Sequence, residues 1–214
     1  MNQPPNTIVR QLRALMPMRP LTLSDAYALA ELQASKTVSL LGVQQFQAVE
    51  LDWITRLPRV RVVPRPRHEM PNLSGFTQWE NGAYLVVING SDGRTRRRFT
   101  LAHEFKHVID MASKKLIYAK LGQGDKEKHD KQIEVVANYF AACLLMPKRF
   151  VKQAWTSGIQ DTEALAYLFG VSLESMTNRL RYLGFLDDPT QPVDTLFRLE
   201  SPLLADSQPS YQAA

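Results

Sequence analysis

The chain has 214 residues, of which 44% are hydrophobic and 22% are charged, so it can bury a sizeable core and is expected to form one domain with a small appendage. Its formal net charge of +5 is only mildly basic, and its longest apolar run, 139–146, is far too short to cross a bilayer. The single cysteine, Cys143, excludes an intramolecular disulfide, and the N-terminal region lacks the hydrophobic core of a signal peptide. We therefore expect a cytoplasmic protein without a membrane segment.

The first forty residues predict an arm followed by a helix. Residues 1–20 contain several prolines and many polar side chains, which predicts a loose N-terminal arm. Thr22 or Ser24 can cap a helix that continues to about residue 41, because either side chain can accept a hydrogen bond from the first turn. The residues expected on the inner face of this helix are Ala26, Leu29, Ala30 and Leu32.

The next segments predict one helix and three strands. A second helix is predicted over 43–57, and the weak alternation of valine with arginine over 60–63 indicates a short edge strand. The segments 73–79 and 83–89 predict a β-hairpin, because Asn81-Gly82 between them tolerates the positive φ angles of a two-residue turn.

The most informative stretch is His103-Glu104-Phe105-Lys106-His107. Two histidines four residues apart lie on one face of a helix, where both can bind one zinc ion, and the glutamate between them can act on the water that zinc binds. The alternative is a solvent-exposed helix that carries these residues by chance. A buried helix is favoured because apolar residues recur at helical spacing around the motif: Phe99, Leu101, Ala102, Phe105, Val108, Ile109 and Ala112.

A catalytic zinc site usually needs a third protein ligand, and Glu134 is the best candidate. It lies in the nearly continuous apolar run 133–145, where a carboxylate is costly unless it is paired or binds a metal. Asn138 lies one turn further on the same face, where its amide can hydrogen-bond a ligand, the substrate backbone or nearby main chain. The other candidates lie among lysines in a predicted solvated connector: Glu127, His129 and Asp130.

Two sequence blocks resemble the ImmA/IrrE family of metallopeptidases, and the resemblance extends over residues 73–186. The blocks are Arg97-Arg98-Phe99-Thr100-Leu101-Ala102-His103-Glu104 followed by His107, and Glu134-x-x-Ala137-Asn138-x-Phe140-Ala141-x-x-Leu144-Leu145-Met146-Pro147. The resemblance implies a compact zincin-like domain in which Zn²⁺ is bound by His103, His107 and Glu134, with Glu104 as the general base. It also implies regulated proteolysis of a helix-turn-helix repressor of the Xre type, although some similar proteins are toxins held in check by such a partner.

Lys106 departs from the family pattern, in which the residue before the second histidine is commonly glycine. A lysine that points to solvent would leave the site unchanged, whereas one that points into the cleft would alter substrate fit or lower metal affinity. The sequence does not name the group that stabilises the oxyanion. Tyr118 and His129 are candidates because they lie between the two ligand-bearing helices.

The C-terminal part of the sequence resembles a helix-turn-helix pair, with Gly170 at the turn and Ser172 as the cap of the second helix. Arg179 and Arg181 on that helix make DNA contact an alternative, but packing of the pair on the metal-binding domain is favoured. The predicted organisation is a loose arm over 1–20, a zincin-like metallopeptidase domain over 21–156, a helical appendage over 157–186 and an extended tail over 187–214.

Two arginine clusters, within 56–67 and 94–98, indicate either solvated faces or a surface for nucleic acid or an acidic protein. Solvated faces are favoured, because no aromatic residues are interleaved at stacking intervals.

The sequence as a whole predicts an α+β fold, in which a small β-sheet lies beside the motif helix and a helix-turn-helix-like pair follows. The predicted function is a zinc-dependent endopeptidase that cleaves a partner protein, a helix-turn-helix transcriptional repressor. The alternatives are a toxin or anti-repressor that acts by binding a partner, and a DNA-binding regulator. In a zincin-like fold the 73–89 hairpin is expected to line the substrate groove, and the alternative is a purely structural sheet that covers one face of the motif helix.

Overall fold

The computed structural model describes residues 6–186 and has an α+β fold, as the sequence predicted. The strands are β1 (Val60–Arg65), β2 (Gly75–Glu80) and β3 (Ala83–Asn89). The α-helices are α1 (Asn6–Arg13), α2 (Leu23–Leu40), α3 (Asp52–Thr55), α4 (Arg94–Asp110), α5 (Lys114–Ile117), α6 (Lys126–Leu145), α7 (Lys148–Thr156), α8 (Thr162–Phe169) and α9 (Leu173–Tyr182). Within residues 6–186, every helix is too short or too polar to span a membrane.

The three strands form one sheet in the order β1–β3–β2, with β1 parallel and β2 antiparallel to β3. The predicted hairpin is confirmed: Asn81 and Gly82 at its turn have φ angles of 49° and 78°, the positive values that a two-residue turn requires. The predicted edge strand is also confirmed as β1, whose edge position accommodates Pro64. In the described part of the chain β2 forms the opposite edge of the sheet.

The main core lies where α4 packs against α6 and the sheet, and where α6 packs against α2. The rings of Phe105 on α4 and Phe140 on α6 are fully buried, with centres 6.2 Å apart. On α6, Val136, Phe140 and Leu144 recur every four residues and are also fully buried. Because burial of each such side chain stabilises the fold by about 1.5–3 kcal/mol, the core determines which faces of α4 and α6 meet.

The N-terminal region differs from the predicted loose arm. Residues 6–13 form α1, and Leu12 on this helix is fully buried. The amide of Gln33 on α2 donates a hydrogen bond of 3.1 Å to the carbonyl oxygen of Leu12, which ties the two helices together. The prolines that suggested an arm lie on either side of α1 instead of within it, and residues 1–5 lie outside the described residues.

Helix α2 begins where the sequence predicts. Thr22 accepts a hydrogen bond of 3.1 Å from the backbone N–H of Asp25, and the Asp25 carboxylate accepts one of 3.2 Å from the backbone N–H of Thr22. The predicted inner face is correct except at Leu32, which is 52% exposed. Leu32 lies about 200° around the helix from the fully buried Ala30, because each residue advances by about 100°.

Two predictions for connecting segments are wrong. The helix predicted over 43–57 is reduced to α3, and the irregular segment before it contains the buried side chains of Val49 and Leu51. The charged stretch predicted as a connector instead forms the first turns of α6. That helix is capped by Asp125, whose carboxylate accepts a hydrogen bond of 2.9 Å from the backbone N–H of Lys128.

Helices α8 and α9 form the predicted helix-turn-helix-like pair. Gly170 between them adopts a left-handed conformation with φ of 63°, and Ser172 caps α9 by accepting a hydrogen bond of 3.1 Å from Ser175. The guanidinium of Arg98 on α4 donates a hydrogen bond of 3.1 Å to the carbonyl oxygen of Gly170. This contact attaches the helical pair to the helix that carries the H-E-x-x-H motif.

Arg179 does not have the exposure that a DNA contact requires. Its side chain is fully buried, and its Nε donates a hydrogen bond of 3.0 Å to the carbonyl oxygen of Met146. Of the two arginines that suggested DNA contact, Arg179 is therefore not accessible to DNA. The predicted tail, 187–214, lies outside the described residues.

Candidate metal centre

Helix α4 places His103 and His107 on the side that faces α6. The core burial of Ala102, Phe105 and Val108 fixes the rotation of the helix, and the two imidazoles follow on the adjacent face. The two rings lie with their centres 4.8 Å apart. His103 is buried, whereas the side chain of His107 remains 15% exposed and lies at the edge of the site.

Glu134 on α6 reaches both imidazoles. Its Oε2 lies 3.1 Å from Nε2 of His103, and its Oε1 lies 3.4 Å from Nε2 of His107. The two Nε2 atoms are themselves 3.1 Å apart. Two segments separated by about thirty residues of sequence thus bring three possible ligand atoms to within 4.8 Å of one another.

Asn138 sets the orientation of the first imidazole. Its Oδ1 lies 2.8 Å from Nδ1 of His103. An amide oxygen only accepts hydrogen bonds, so Nδ1 of His103 carries the proton and donates it. In the neutral ring this leaves the lone pair of Nε2 directed at the group of ligand atoms, and a partner of this kind is what orients a metal-binding histidine in proteins.

The convergence of these donors fits a bound metal ion. Two ring nitrogens and a carboxylate oxygen approach one another at hydrogen-bonding distance, and all three are electron-pair donors when the rings are neutral. A cation or a proton must lie among them to offset their repulsion. Two histidines and one carboxylate form a ligand set that zinc uses in catalytic sites, with a further position left for water.

The charge of the cluster is consistent with this requirement. Burial lowers the pKa of His103, but the hydrogen bond and negative charge of Glu134 outweigh burial and raise the pKa to about 9. Burial raises the pKa of Glu134, but the charge of His107 and the hydrogen bonds from both histidines hold it far below the usual range. The carboxylate of Glu134 is therefore ionised, and its negative charge favours a positive charge among the ligand atoms, either a proton on His103 or a bound cation.

Glu104 follows His103 on α4, and its charge acts on that imidazole, but its carboxylate is held by the sheet. Its side chain is buried, and its Oε2 accepts a hydrogen bond of 2.8 Å from the hydroxyl of Thr77 on β2. Its backbone oxygen lies 3.3 Å from the same hydroxyl. Sequence reasoning did not identify Thr77, although the alternation along β2 is a usable signal: Gly75 and Thr77, two residues apart, both face α4.

Lys106 points neither to solvent nor into the cleft, so both predicted orientations are wrong. Its ammonium is buried and donates hydrogen bonds of 2.7 Å to Asp110 and 2.9 Å to the side-chain oxygen of Gln33. Burial lowers the pKa of Lys106, and the charge of Asp110 opposes that shift. Tyr118 donates a hydrogen bond to the second oxygen of Asp110, which completes a polar network between α2, α4 and the segment after α5.

The remaining sequence candidates lie elsewhere. The hydroxyl of Tyr118 is committed to Asp110, so it is not free to stabilise an oxyanion. His129 pairs with Asp130 at 3.0 Å on the exposed first turns of α6, away from the ligand cluster. Glu127 is exposed on the same turns.

Known proteins are similar to this chain in sequence or in fold. The chain is 31% identical over 80 residues to the radiation response metalloprotease IrrE of Deinococcus radiodurans, over 35% of this chain and 24% of that protein. It is 31% identical over 109 residues to the same enzyme of Deinococcus deserti, over 49% of this chain and 39% of that protein. The matched region thus spans less than half of either relative.

A solved structure titled "Mycobacterium tuberculosis transcriptional regulator" has a similar fold. The TM-score is 0.57 at 21% sequence identity, and the match covers 86% of this chain and 53% of the other. At this level of identity the similarity concerns the fold alone.

The IrrE N-terminal-like domain matches residues 59–181, more than half of the chain. This region contains the sheet, both histidines of α4, and the part of α6 that carries Glu134 and Asn138. The chain belongs to the IrrE N-terminal-like domain family of metallopeptidases.

Proposed function

We propose that this chain is a zinc-dependent endopeptidase that cleaves a partner protein, a helix-turn-helix repressor of the Xre type. The observation that supports the chemistry best is that His103, His107 and Glu134 converge, while a second carboxylate, Glu104, interacts electrostatically with His103 and is held by Thr77. The family relation supports the protease class.

Each residue of the site has a defined task in this proposal. His103, His107 and Glu134 would hold Zn²⁺, which when bound supplies Lewis acidity to the scissile carbonyl and lowers the pKa of the attacking water. Glu104 accepts a proton from that water and returns it to the leaving amine. Thr77 donates its hydrogen bond to Oε2 of Glu104, and in this proposal Oε1 is the oxygen that takes the proton. Asn138 keeps His103 in the tautomer that presents Nε2 to the metal.

The edge of β2 provides a place for an extended substrate. In residues 6–186, β2 pairs only with β3, so its outer backbone groups are available to another strand. Thr77 on this strand contacts Glu104, which places the strand edge beside the proposed chemistry. An extended polypeptide that pairs with β2 would thus pass the site, in the way that peptides add to exposed sheet edges in other proteins.

The test uses the Glu104→Gln variant, which keeps all three ligands. The purified wild-type protein and the variant are incubated with a candidate Xre-type repressor, zinc is quantified in both proteins, and products are identified by mass spectrometry. We expect about one zinc per chain in both proteins and cleavage only by the wild type. Equal cleavage by the variant contradicts the role of Glu104. A repressor that is bound but never cut supports the alternative of a toxin or anti-repressor that acts by binding.

A further inference from the structure

A cavity of about 580 Å³ lies where α1, the sheet and α4 meet. One wall is the row formed by Val60, Tyr84 and Trp79, which are paired side by side across the three strands. Residues of α1 and Val108 of α4 also line the cavity. Such a volume lies within the range of pockets that enclose a ligand.

The two elements that position Glu104 also lead into this cavity. Val108 is four residues beyond Glu104 on α4, which corresponds to a rise of about 6 Å. Trp79 is two residues beyond Thr77 on β2, which corresponds to about 7 Å along the strand. A polypeptide that follows the β2 edge past Thr77 therefore reaches the cavity within two or three residues.

The cavity is lined by three arginines and no acidic residue. Arg13 is fixed by hydrogen bonds of 3.0 Å to the carbonyl of Ile109 and 2.7 Å to the hydroxyl of Tyr84. Arg10 and Arg59 are exposed. None of the three forms an ion pair with a carboxylate in the described part of the chain.

Trp79 adds an apolar surface to this positive cavity. Its side chain is 50% exposed and packs edge-on against Tyr84, with ring centres 4.6 Å apart. Trp79 lines the same cavity as the three arginines and lies on β2, the strand that carries Thr77. The ring can cover the methylene groups of a side chain whose charged end reaches an arginine.

We propose that this cavity is a substrate subsite that binds a short acidic segment of the polypeptide to be cut. Carboxylates of aspartate or glutamate pair with Arg10 and Arg59, and the aliphatic parts of the segment lie on Trp79. An acidic peptide fits better than a nucleotide, because β2, whose free edge a polypeptide would use, also lines the cavity through Trp79. This inference rests on the proposed endopeptidase function.

The first test measures binding in solution and needs no cleavage. The Glu104→Gln protein, labelled with ¹⁵N, is titrated with acetylated and amidated tetraglutamate, and tetraglutamine serves as the neutral match. The chain has three tryptophans, so the indole signals of Trp53 and Trp155 are internal controls for that of Trp79. We expect tetraglutamate to shift the Trp79 signal selectively, with an affinity at least about tenfold higher than that of tetraglutamine.

Two double variants distinguish binding in the cavity from a general effect of the protein's positive charge. The double variant Arg10→Gln/Arg59→Gln is expected to weaken tetraglutamate binding about tenfold. The double variant Arg94→Gln/Arg97→Gln removes the same charge from the other end of α4, about 16 Å or more from Val108 along the helix axis, and is expected to change binding less than twofold. Equal weakening by both double variants, or an equal shift of Trp79 by both peptides, overturns the inference.

The second test distinguishes this inference from the proposed function. Zinc-loaded wild-type protein is incubated with a proteome-derived peptide library, and the sequences around the cuts are read by mass spectrometry. We expect aspartate and glutamate to be enriched at a fixed position, and the enrichment to be lost in Arg10→Gln/Arg59→Gln. Cutting without acidic preference contradicts the subsite and leaves the protease standing. Selective binding of tetraglutamate without any cutting contradicts the protease while supporting an acidic-segment site.

Discussion

The hydroxyl of Thr77 donates a hydrogen bond of 2.8 Å to Oε2 of Glu104, and so joins the edge strand of the sheet to the helix of the H-E-x-x-H motif. The two residues are 27 positions apart in the sequence. This contact fixes the carboxylate that we propose as the general base without making it a metal ligand.

Replacement of Thr77 by valine is expected to lower kcat about tenfold while leaving zinc content unchanged. Valine has nearly the same shape but donates no hydrogen bond, so Glu104 loses its fixed orientation. Steady-state cleavage assays and zinc analysis check this prediction. The pH profile of kcat is also measured, because a purely structural effect would not shift it. Thr77→Ser retains the hydroxyl and is expected to restore most of the activity. Equal losses in the serine and valine variants would exclude a role for the hydrogen bond.

Replacement of Gly75 by alanine is expected to destabilise the protein by about 1–3 kcal/mol. It is also expected to reduce cleavage activity, because the added methyl group displaces Glu104. A Cβ at Gly75 would lie 2.5 Å from Cγ2 of Thr100, 2.9 Å from the carbonyl oxygen of Val87 and 3.2 Å from Oε1 of Glu104. Urea unfolding measures the stability.

Gly93→Ala is the matched control for this change, because its Cβ would meet nothing within 4 Å. Gly93 is the N-cap of α4, where alanine is less favourable than glycine, so we expect a loss of at most about 1 kcal/mol and the activity of the wild type. If the Gly75→Ala protein unfolds at the same urea concentration as the Gly93→Ala protein, the strand accommodates the added methyl group and the predicted steric clash is wrong.

Replacement of Asn138 by leucine is expected to lower zinc affinity about 10- to 100-fold, because the Nδ1 proton of His103 loses its acceptor. Competition with a chromophoric chelator measures the affinity. Asn138→Asp keeps an acceptor at this position and is expected to retain zinc binding. Unchanged zinc affinity in the leucine variant would mean that the hydrogen bond from His103 to Asn138 is not required for Nε2 to bind the metal.

Replacement of Lys106 by methionine is expected to destabilise the protein by about 3–5 kcal/mol, because it leaves the buried carboxylate of Asp110 without its charged partner. The double variant Lys106→Met/Asp110→Asn removes both charges and is expected to recover much of that loss. Urea unfolding of the single variants and the double variant gives the coupling free energy between Lys106 and Asp110. Additive losses in the double variant would contradict a coupled pair.

Removal of metal by a chelator is expected to abolish cleavage but leave the helical circular dichroism signal intact. The core between α2, α4, α6 and the sheet does not depend on the ligand cluster, so the apo protein stays folded. Zinc at 100 times its Kd would add about 2.7 kcal/mol to the stability, which thermal unfolding with and without zinc measures. Complete unfolding on chelation would instead favour a structural metal.

Local patterns predicted many elements correctly because their causes lie within a few residues. The capping box at Thr22 and the turn at Asn81-Gly82 depend on hydrogen bonds and φ preferences of neighbouring residues. The helix expected over 43–57 is wrong, because Val49 and Leu51 are buried in an irregular segment by tertiary packing that local spacing does not reveal. The prolines near the N-terminus were misleading since they flank α1 instead of interrupting it.

The sequence by itself determined the spacing of His103 and His107, because four residues along a helix always bring two side chains to one face. It also singled out Glu134, because a carboxylate in an apolar helix needs a partner. Only the tertiary structure decided that Thr77 holds Glu104, that Lys106 is buried against Asp110 and Gln33, and that α1, the sheet and α4 meet at a cavity lined with arginine. Most of these contacts join residues far apart in the chain, and they depend on how helices and sheet pack, which no short-range pattern specifies.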